Sequence, residues 1–383
     1  MHATTAAKAA LKGCVTAAVI VVCAAQAFRP AVVFRVAQGF RPVVVAAQDV
    51  RPSFSEWLAG VRSEAIARGV KAEIVDEALE GVEEPLPVIL ERDRAQAETV
   101  FSLEHYISRR LTPRLIISGR EAFSRNRDLL REIGSTYSVP PQIIAAIWGI
   151  ESNYGRFSGV RPTVAALATL AWDPRRATFF RGELFNALEI LNRGDTDLSH
   201  LKGSWAGAMG QVQFMPSSYL QYAQDYDGDG RRDIWSTPAD IFASIANYLS
   251  GRGWWQDAPW GREVRVDEET ATRVRKDVAM RDGMCQATRN MTVALPAAEW
   301  QKLGVRLTSG RPLPKSDVPM SLVSGSTRHF LVTPNYDAIL EYNCSHSYAI
   351  TVALLGDAIA STAKVKATPA PKAKSHARPP KRG

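Results

Sequence analysis

Residues 141–155 read Pro141-Gln142-Ile143-Ile144-Ala145-Ala146-Ile147-Trp148-Gly149-Ile150-Glu151-Ser152-Asn153-Tyr154-Gly155. From Pro141 to Ile150 the stretch is apolar almost all round, which marks a helix inside a core and not one lying on its surface. Proline suits the first turn, where no N–H partner is required. Glu151 follows directly, and the four residues after it supply a turn. A carboxyl group at the mouth of such a helix is partly desolvated. Burial disfavours its ionised form and raises its pKa, as a general acid working near neutral pH requires. The competing reading is a helix-end glutamate that simply reaches solvent, and on this segment alone that reading is the stronger one.

Outward from this helix, the pattern stays helical. Trp57, Val61, Ile66, Ile74 and Leu79 have amphipathic spacing, broken near Gly69. Further helical runs cover about 87–110, 121–137, 164–170, 179–192, 217–226 and 240–251. After Trp260 the character changes: 264–266 and 291–295 read as strands, 309–314 as turns, and Phe330-Leu331-Val332 as a short extended run before a last helix over 347–362. The fold class is therefore mainly α (α+β), with a small β-containing portion near the C-terminus. The block Gly203-Ser204-Trp205-Ala206-Gly207-Ala208-Met209-Gly210-Gln211-Val212-Gln213-Phe214-Met215-Pro216 resembles neither core nor ordinary loop. Its small residues let backbone approach closely, and Ser204, Gln211 and Gln213 can hydrogen-bond a polyhydroxylated ligand.

The 383 residues can bury a sizeable core, and 46% hydrophobic with 22% charged residues is ordinary for a soluble enzyme. The formal charge of +8 is unevenly spread. Lys8, Lys12, Arg29, Arg35, Arg41 and Arg51 face only Asp49 in the first 51 residues, and residues 362–383 are basic without an acid. What lies between is mildly acidic, which argues against a nucleic-acid partner. Lys8 and Lys12, the apolar stretch 14–25 and Ala25-Gln26-Ala27 read as a secretory signal over 1–27. A second apolar run at 43–47 leaves the cleavage point open. Residues 28–52 form a linker with a near-duplication, Phe28-Arg29-Pro30 and Phe40-Arg41-Pro42, to which no function attaches. Residues 362–383 read as a disordered basic tail. The expected location is exported and periplasmic, with membrane or cell-wall association left open. Cys14 and Cys23 go with the signal. Cys285 and Cys344 remain, and in an oxidising compartment they could pair, but sequence does not bring their Cα atoms within bridging distance.

Glu151-Ser152-x-Tyr154-Gly155, the 203–216 block and Tyr342-Asn343 resemble the lytic murein transglycosylase B family of glycoside hydrolases. The similarity runs from about Phe54 to about Ala360. It implies a lysozyme-like helical catalytic domain over 53–260 with an EF-hand-like loop at 225–240. A small β-containing subdomain over 261–330 and a segment over 331–361 returning to the cleft would follow. It further implies Glu151 as the catalytic acid/base, oriented by Ser204. Arg175, Arg176 and Gln213 match substrate-binding positions; Tyr106, Tyr248, Tyr342, Asn343 and Tyr348 match cleft-lining ones. Phe179 stands where a tyrosine of the family would be expected, which puts a hydroxyl contact there in doubt. The competing reading of the arginine pair is surface charge following Asp173-Pro174.

Ordinary glycosidases use two carboxylates, and no second acid sits in a comparably apolar setting: Asp173, Asp195 and Asp197 lie in polar, turn-like contexts. The N-acetyl group and C6 hydroxyl of muramic acid would supply what is missing. The expected activity is therefore cleavage of peptidoglycan strands to 1,6-anhydromuramic acid ends by a monomer. A hydrolysing muramidase and a non-catalytic peptidoglycan-binding protein are the alternatives. Finally, Asp225, Asp227 and Asp229, Gly230, the carbonyl of Arg231 and Asp233 match the start of an EF-hand loop. Ser236 replaces the usual glutamate, and Asp240 one turn later could substitute. A structural Ca²⁺ of moderate affinity is expected, and no organic cofactor; an Asp/Gly-rich solvated turn is the plainer reading.

Overall fold

A computed structural model describes residues 52–96, 101–256 and 258–361. The expected signal, linker and basic tail lie outside the described residues. The helix Pro141–Ser152 occupies the centre, with every residue from Ile143 to Ile150 buried. Around it pack the helices Pro113–Arg125, Arg127–Tyr137, Pro238–Gly251 and His346–Ala360. A helix sheathed on all sides needs no polar face, which is why its sequence shows none. Thr163–Trp172 and Ala177–Arg193 pack against each other as a helical hairpin, joined by Asp173-Pro174-Arg175-Arg176. The second of these helices stops at Gly194, whose φ of 76° few other residues adopt.

Two small sheets complete the fold. In the first, β1 (Arg161–Pro162) pairs antiparallel with β2 (Lys202–Gly203) at the entrance to the glycine-rich block. The second contains β3 (Gly261–Arg265), β4 (Arg306–Leu307), β5 (Ser321–Ser324) and β6 (His329–Val332), in spatial order β4-β3-β6-β5 and antiparallel throughout. Strand β6 explains the uninterrupted apolar run noted in the sequence. Phe330 and Val332 face the main core, while Leu331 faces a smaller one around Val274, Trp300 and Leu322. A strand buried on both faces shows no polar alternation.

Several boundaries differ from the sequence reading for identifiable reasons. The helical run over 121–137 begins earlier, at Pro113, under a Thr112 cap, and breaks at Asn126. The run over 217–226 ends at Tyr222, because the backbone N–H of Tyr226 turns to the Asp240 carboxylate at 2.7 Å. Residues 291–295 make isolated bridges, not a strand; the hydroxyl of Thr292 takes the Leu322 N–H at 2.8 Å in place of a ladder carbonyl. Cys285 and Cys344 do pair, with Cα atoms 5.8 Å apart. The bridge ties the short helix Gln286–Arg289 to the turn between helices Pro334–Tyr342 and His346–Ala360.

Candidate active site

The turn after the central helix is built by its own residues. Asn153, Tyr154 and Gly155 all take positive φ, at 51°, 60° and 81°. Two consecutive non-glycine residues in the left-handed region are costly unless the surroundings hold them. Ser152 does part of this, accepting from the Gly155 N–H at 3.0 Å and donating to the Trp148 carbonyl at 2.8 Å. The ring of Tyr154 folds back over Gly149, where a Cβ would sit 2.5 Å from its Cζ. Its hydroxyl donates to the Leu115 carbonyl at 3.2 Å. The Gly149…Tyr154-Gly155 pattern is thus the sequence record of a reversal that leaves Glu151 at the edge of a cavity.

That cavity measures about 500 Å³, and Glu151 is the only acid among its lining residues. Glu151 Oε1 accepts a 2.6 Å hydrogen bond from the Tyr348 hydroxyl. Burial pushes the carboxyl up to about 7, while the Tyr348 bond and the Arg110 charge pull the other way. Burial wins because the central helix and its neighbours remove most of the water that would solvate a carboxylate. Arg110 itself is fixed by donating to the Ile150 carbonyl at 3.1 Å.

Tyr348 belongs to an aromatic wall. Tyr342 stacks on it with ring centroids 6.4 Å apart, and Tyr248 lies 4.7 Å from Tyr342. Phe214 packs against both Tyr248 and Tyr342, and Tyr222 against Tyr248. Two of the tyrosine hydroxyls are committed to backbone: Tyr342 donates to Val212 at 2.7 Å and Tyr248 to Glu341 at 2.6 Å. The third holds Glu151. Tyr106 is half-buried on the neighbouring helix Leu103–Arg110; burial and the Glu151 charge raise the Tyr348 hydroxyl well above the usual phenol range, and Tyr106 adds to this. Arg110, Phe214 and Tyr222 were not singled out from sequence. Phe214 had a signal, being inside the glycine-rich block; the others had none, because their place depends on packing between distant helices.

The glycine-rich block forms tight turns against this wall. A Cβ on Gly203 would collide with the Ala208 carbonyl. Ser204 Oγ accepts from the N–H groups of Ala206 and Ala208 at 3.3 and 3.1 Å. The hydrogen bond expected from Ser204 to Glu151 is the one Tyr348 makes, and Ser204 organises its own loop. Gln213, at φ 52°, donates from Nε2 to the Gly210 carbonyl at 2.8 Å. Gln211 locks block to helix: it accepts from Trp148 Nε1 and donates to the Trp235 carbonyl, both at 2.7 Å.

Other sequence-selected residues fall elsewhere. Arg175 and Arg176 both bind the buried Asp93 carboxylate, and Arg175 also reaches Asp173. Phe179 is half exposed beside them, edge-on to Phe180. Asn343 is exposed and precedes the disulfide. The remaining buried acids are similarly occupied: Glu183 accepts from the Ser217 N–H and hydroxyl, and Asp240 from the N–H groups of Tyr226 and Asp233.

In the acidic loop, oxygens of Asp225, Asp227 and Asp229 lie within 4.8 Å of one another, a donor set that fits a hard divalent cation. Asp225 also accepts from Gly228 and Gly230, which shapes the turn. Asp240 is fully buried beneath the loop, and bridges its two ends by those backbone contacts. Burial pushes it up to about 6, and the Asp227 charge adds to the effect. Ser236 and Arg231 donate to Asp233 and Asp229 within the loop.

Among the described residues no helix is long and apolar enough to cross a membrane. A family model for the transglycosylase SLT domain matches residues 53–357. The membrane-bound lytic murein transglycosylase B of Escherichia coli is 35% identical over 259 residues, covering 67% of this chain and 66% of its own, just under two thirds. SltB3 from Pseudomonas aeruginosa, solved in complex with NAG-anhNAM-pentapeptide, is 39% identical with a TM-score of 0.72. That match covers 81% of this chain and 80% of SltB3. The Escherichia coli lytic transglycosylase Slt35, solved in complex with calcium, is 28% identical with a TM-score of 0.65, covering 79% and 92% of the two chains. The motif spacing, the lysozyme-like helical body and the extent of these matches agree: the chain belongs to the lytic transglycosylase B family.

Proposed function

We propose that this chain is a peptidoglycan lytic transglycosylase, cleaving the β-1,4 bond between N-acetylmuramic acid and N-acetylglucosamine. The observation that carries the reading is the single carboxyl in the cavity, held near neutrality by burial. Protonated Glu151 gives its proton to the glycosidic oxygen as the C1–O bond breaks, and the N-acetyl carbonyl of muramic acid captures C1. Ionised Glu151 then takes the proton of the C6 hydroxyl, whose oxygen displaces the acetamido oxygen from C1. Glu151 is regenerated, no water enters, and the product ends in 1,6-anhydromuramic acid. A group with a pKa of about 7 serves both steps near neutral pH. Tyr348 fixes the carboxyl and stabilises it while ionised.

A hydrolase would need a second acid to activate water, and the other buried carboxylates are occupied by backbone or arginine. Tyr106, Tyr248, Tyr342, Tyr348 and Gln213 form the glycan-binding wall in this reading, with the exposed Asn343 following Tyr342. Ser204 contributes by shaping the loop, with Arg175 and Arg176 further along the strand. Ca²⁺ at Asp225, Asp227 and Asp229, with the Arg231 carbonyl, would relieve the repulsion among the aspartates and stiffen the loop, with Asp240 as its buried support. The protein acts after export, on the periplasmic wall, through a body over 53–260, a β-containing subdomain over 261–330 and a returning segment over 331–361. Mass spectrometry of digested peptidoglycan tests the activity. Anhydro ends, one water lighter than reducing ends, are expected; reducing ends alone would overturn it in favour of a muramidase.

A further inference from the structure

Tyr348 holds the side chain of Glu151, and a different residue grips the chain on both flanks of it. Gln211 Oε1 accepts from Trp148 Nε1, and Gln211 Nε2 donates to the Trp235 carbonyl, both at 2.7 Å. The Gln211 backbone N–H donates to the Ile234 carbonyl at 2.8 Å. Trp148 lies one turn before Glu151 on the same helix, and Gly155 closes the reversal after it. At Gly155 the Gln211 amide comes so near that a Cβ would stand 2.5 Å from Oε1. Beyond Gln211 the contacts run to the end of the acidic loop. The Trp235 N–H donates to Asp233 Oδ1 at 2.8 Å, and its indole N–H to the Lys202 carbonyl at 3.0 Å.

The residue type follows from the two partners. An indole N–H can only donate and a backbone carbonyl can only accept, so a group between them must accept from one and donate to the other. The glutamine amide does both at once, whatever the pH. Its hold on Trp148 also fixes the indole ring, which meets Tyr154 edge-on at 5.5 Å and Phe242 at 4.9 Å. Tyr154 and Asn153 stand in the left-handed region, a conformation that persists only where the surroundings fasten it. We infer that Gln211 is a positioning residue for the reaction. By fastening Trp148 and Gly155 to the Trp235 end of the acidic loop, it sets the direction from which Glu151 meets the glycosidic oxygen. The inference rests on the transglycosylase reading. The sequence suggested a ligand contact for this amide, but its two hydrogen bonds are made inside the protein, and its effect reaches the substrate through Glu151.

Gln211→Met keeps the length of the side chain and removes both hydrogen bonds. Measured well below the melting temperature of each protein, kcat for anhydro-muropeptide release should fall by about tenfold to a hundredfold, the scale on which a slightly misplaced acid loses rate. KM should change by less than about twofold, because Tyr342 and Tyr248 keep their own backbone partners. Trp148→Phe removes the donor of the same bond, so the double variant should lose no more than the worse single one, within about twofold. With 15N-labelled tryptophan, the Trp148 indole N–H is identified by its absence in Trp148→Phe. Its exchange with solvent should be at least about tenfold faster in Gln211→Met than in the wild type. Should Gln211→Met not fold, Gln211→Glu, which keeps an acceptor for the indole and loses the donor to Trp235, carries the same measurements. A kcat within twofold of wild type, or losses that multiply in the double variant, would overturn the inference. Wild-type protein that yields no anhydro ends overturns the activity instead. The fastening is then decided by the indole exchange: acceleration in the variant upholds it, and an unchanged rate refutes it.

Discussion

Tyr348→Phe isolates the one side-chain hydrogen bond that Glu151 receives among the described residues. The hydroxyl donates to Oε1 at 2.6 Å, at a carboxyl already pushed up by burial. Such a bond favours the carboxylate over the acid, so removing it makes Glu151 harder to ionise. A hydrogen bond to an ionised group contributes about 1.5–3 kcal/mol, and about 1.4 kcal/mol corresponds to one pH unit. Glu151 should therefore climb from about 7 by roughly one to two pH units. As general acid Glu151 acts protonated, so the alkaline limb of kcat for anhydro-muropeptide release should move upward by that amount. The overall rate should also fall, because the carboxyl is less firmly aimed; the position of the limb, not the amplitude, is the diagnostic quantity. Tyr342→Phe is the control, since that hydroxyl is spent on the Val212 carbonyl and should leave the limb in place. A Tyr348→Phe limb that stays near 7, or moves down, would refute the electrostatic argument.

Glu151→Gln should abolish anhydro-end release and, at the same time, stabilise the fold in alkali. The carboxyl stands at about 7 in the folded state against an ordinary 4.5, so the unfolded chain ionises it first. Its penalty is absent below pH 4.5, grows as pH rises, and is complete above about 7, where it amounts to about 3 kcal/mol. Thermal melts should show the variant gaining at pH 8 and not at pH 4; an equal gain at both would refute the linkage. Calcium at a hundred times its Kd should stabilise the protein by about 2.7 kcal/mol, an effect that Asp227→Asn should diminish; melts with and without chelator that coincide would exclude a structural ion. Serine at both Cys285 and Cys344 opens a link across 59 residues and should cost about 4 kcal/mol on the chain-entropy account. Denaturant unfolding measures this, and a loss below 1 kcal/mol would mean that the surrounding packing alone secures the turn before Tyr348.

The central helix was legible because burial on every side erases periodicity, and an apolar run of that length ending in Glu151 suits neither a strand nor a surface helix. The glycine-rich block was legible for a similar reason. Gly203 and Gly149 stand where a Cβ would strike Ala208 or Tyr154, so steric necessity wrote itself into residue type. What sequence could not supply is which group addresses Glu151. Ser204 was the expectation, yet its hydroxyl is drawn inward by two N–H groups of its own loop, and Tyr348 makes the bond from 197 residues away. Nothing local distinguishes Tyr348 from the other tyrosines. Its role arises because the helix His346–Ala360 packs along the central helix, with the Cys285–Cys344 bridge fixing the turn just before it. The cationic lining of the cavity was hidden in the same way: Arg109, Arg110, Arg114 and Arg156 lie in segments with no distinguishing local pattern and meet at one cavity. Local patterns therefore point to the acid, whereas the groups that set its proton affinity are products of tertiary packing.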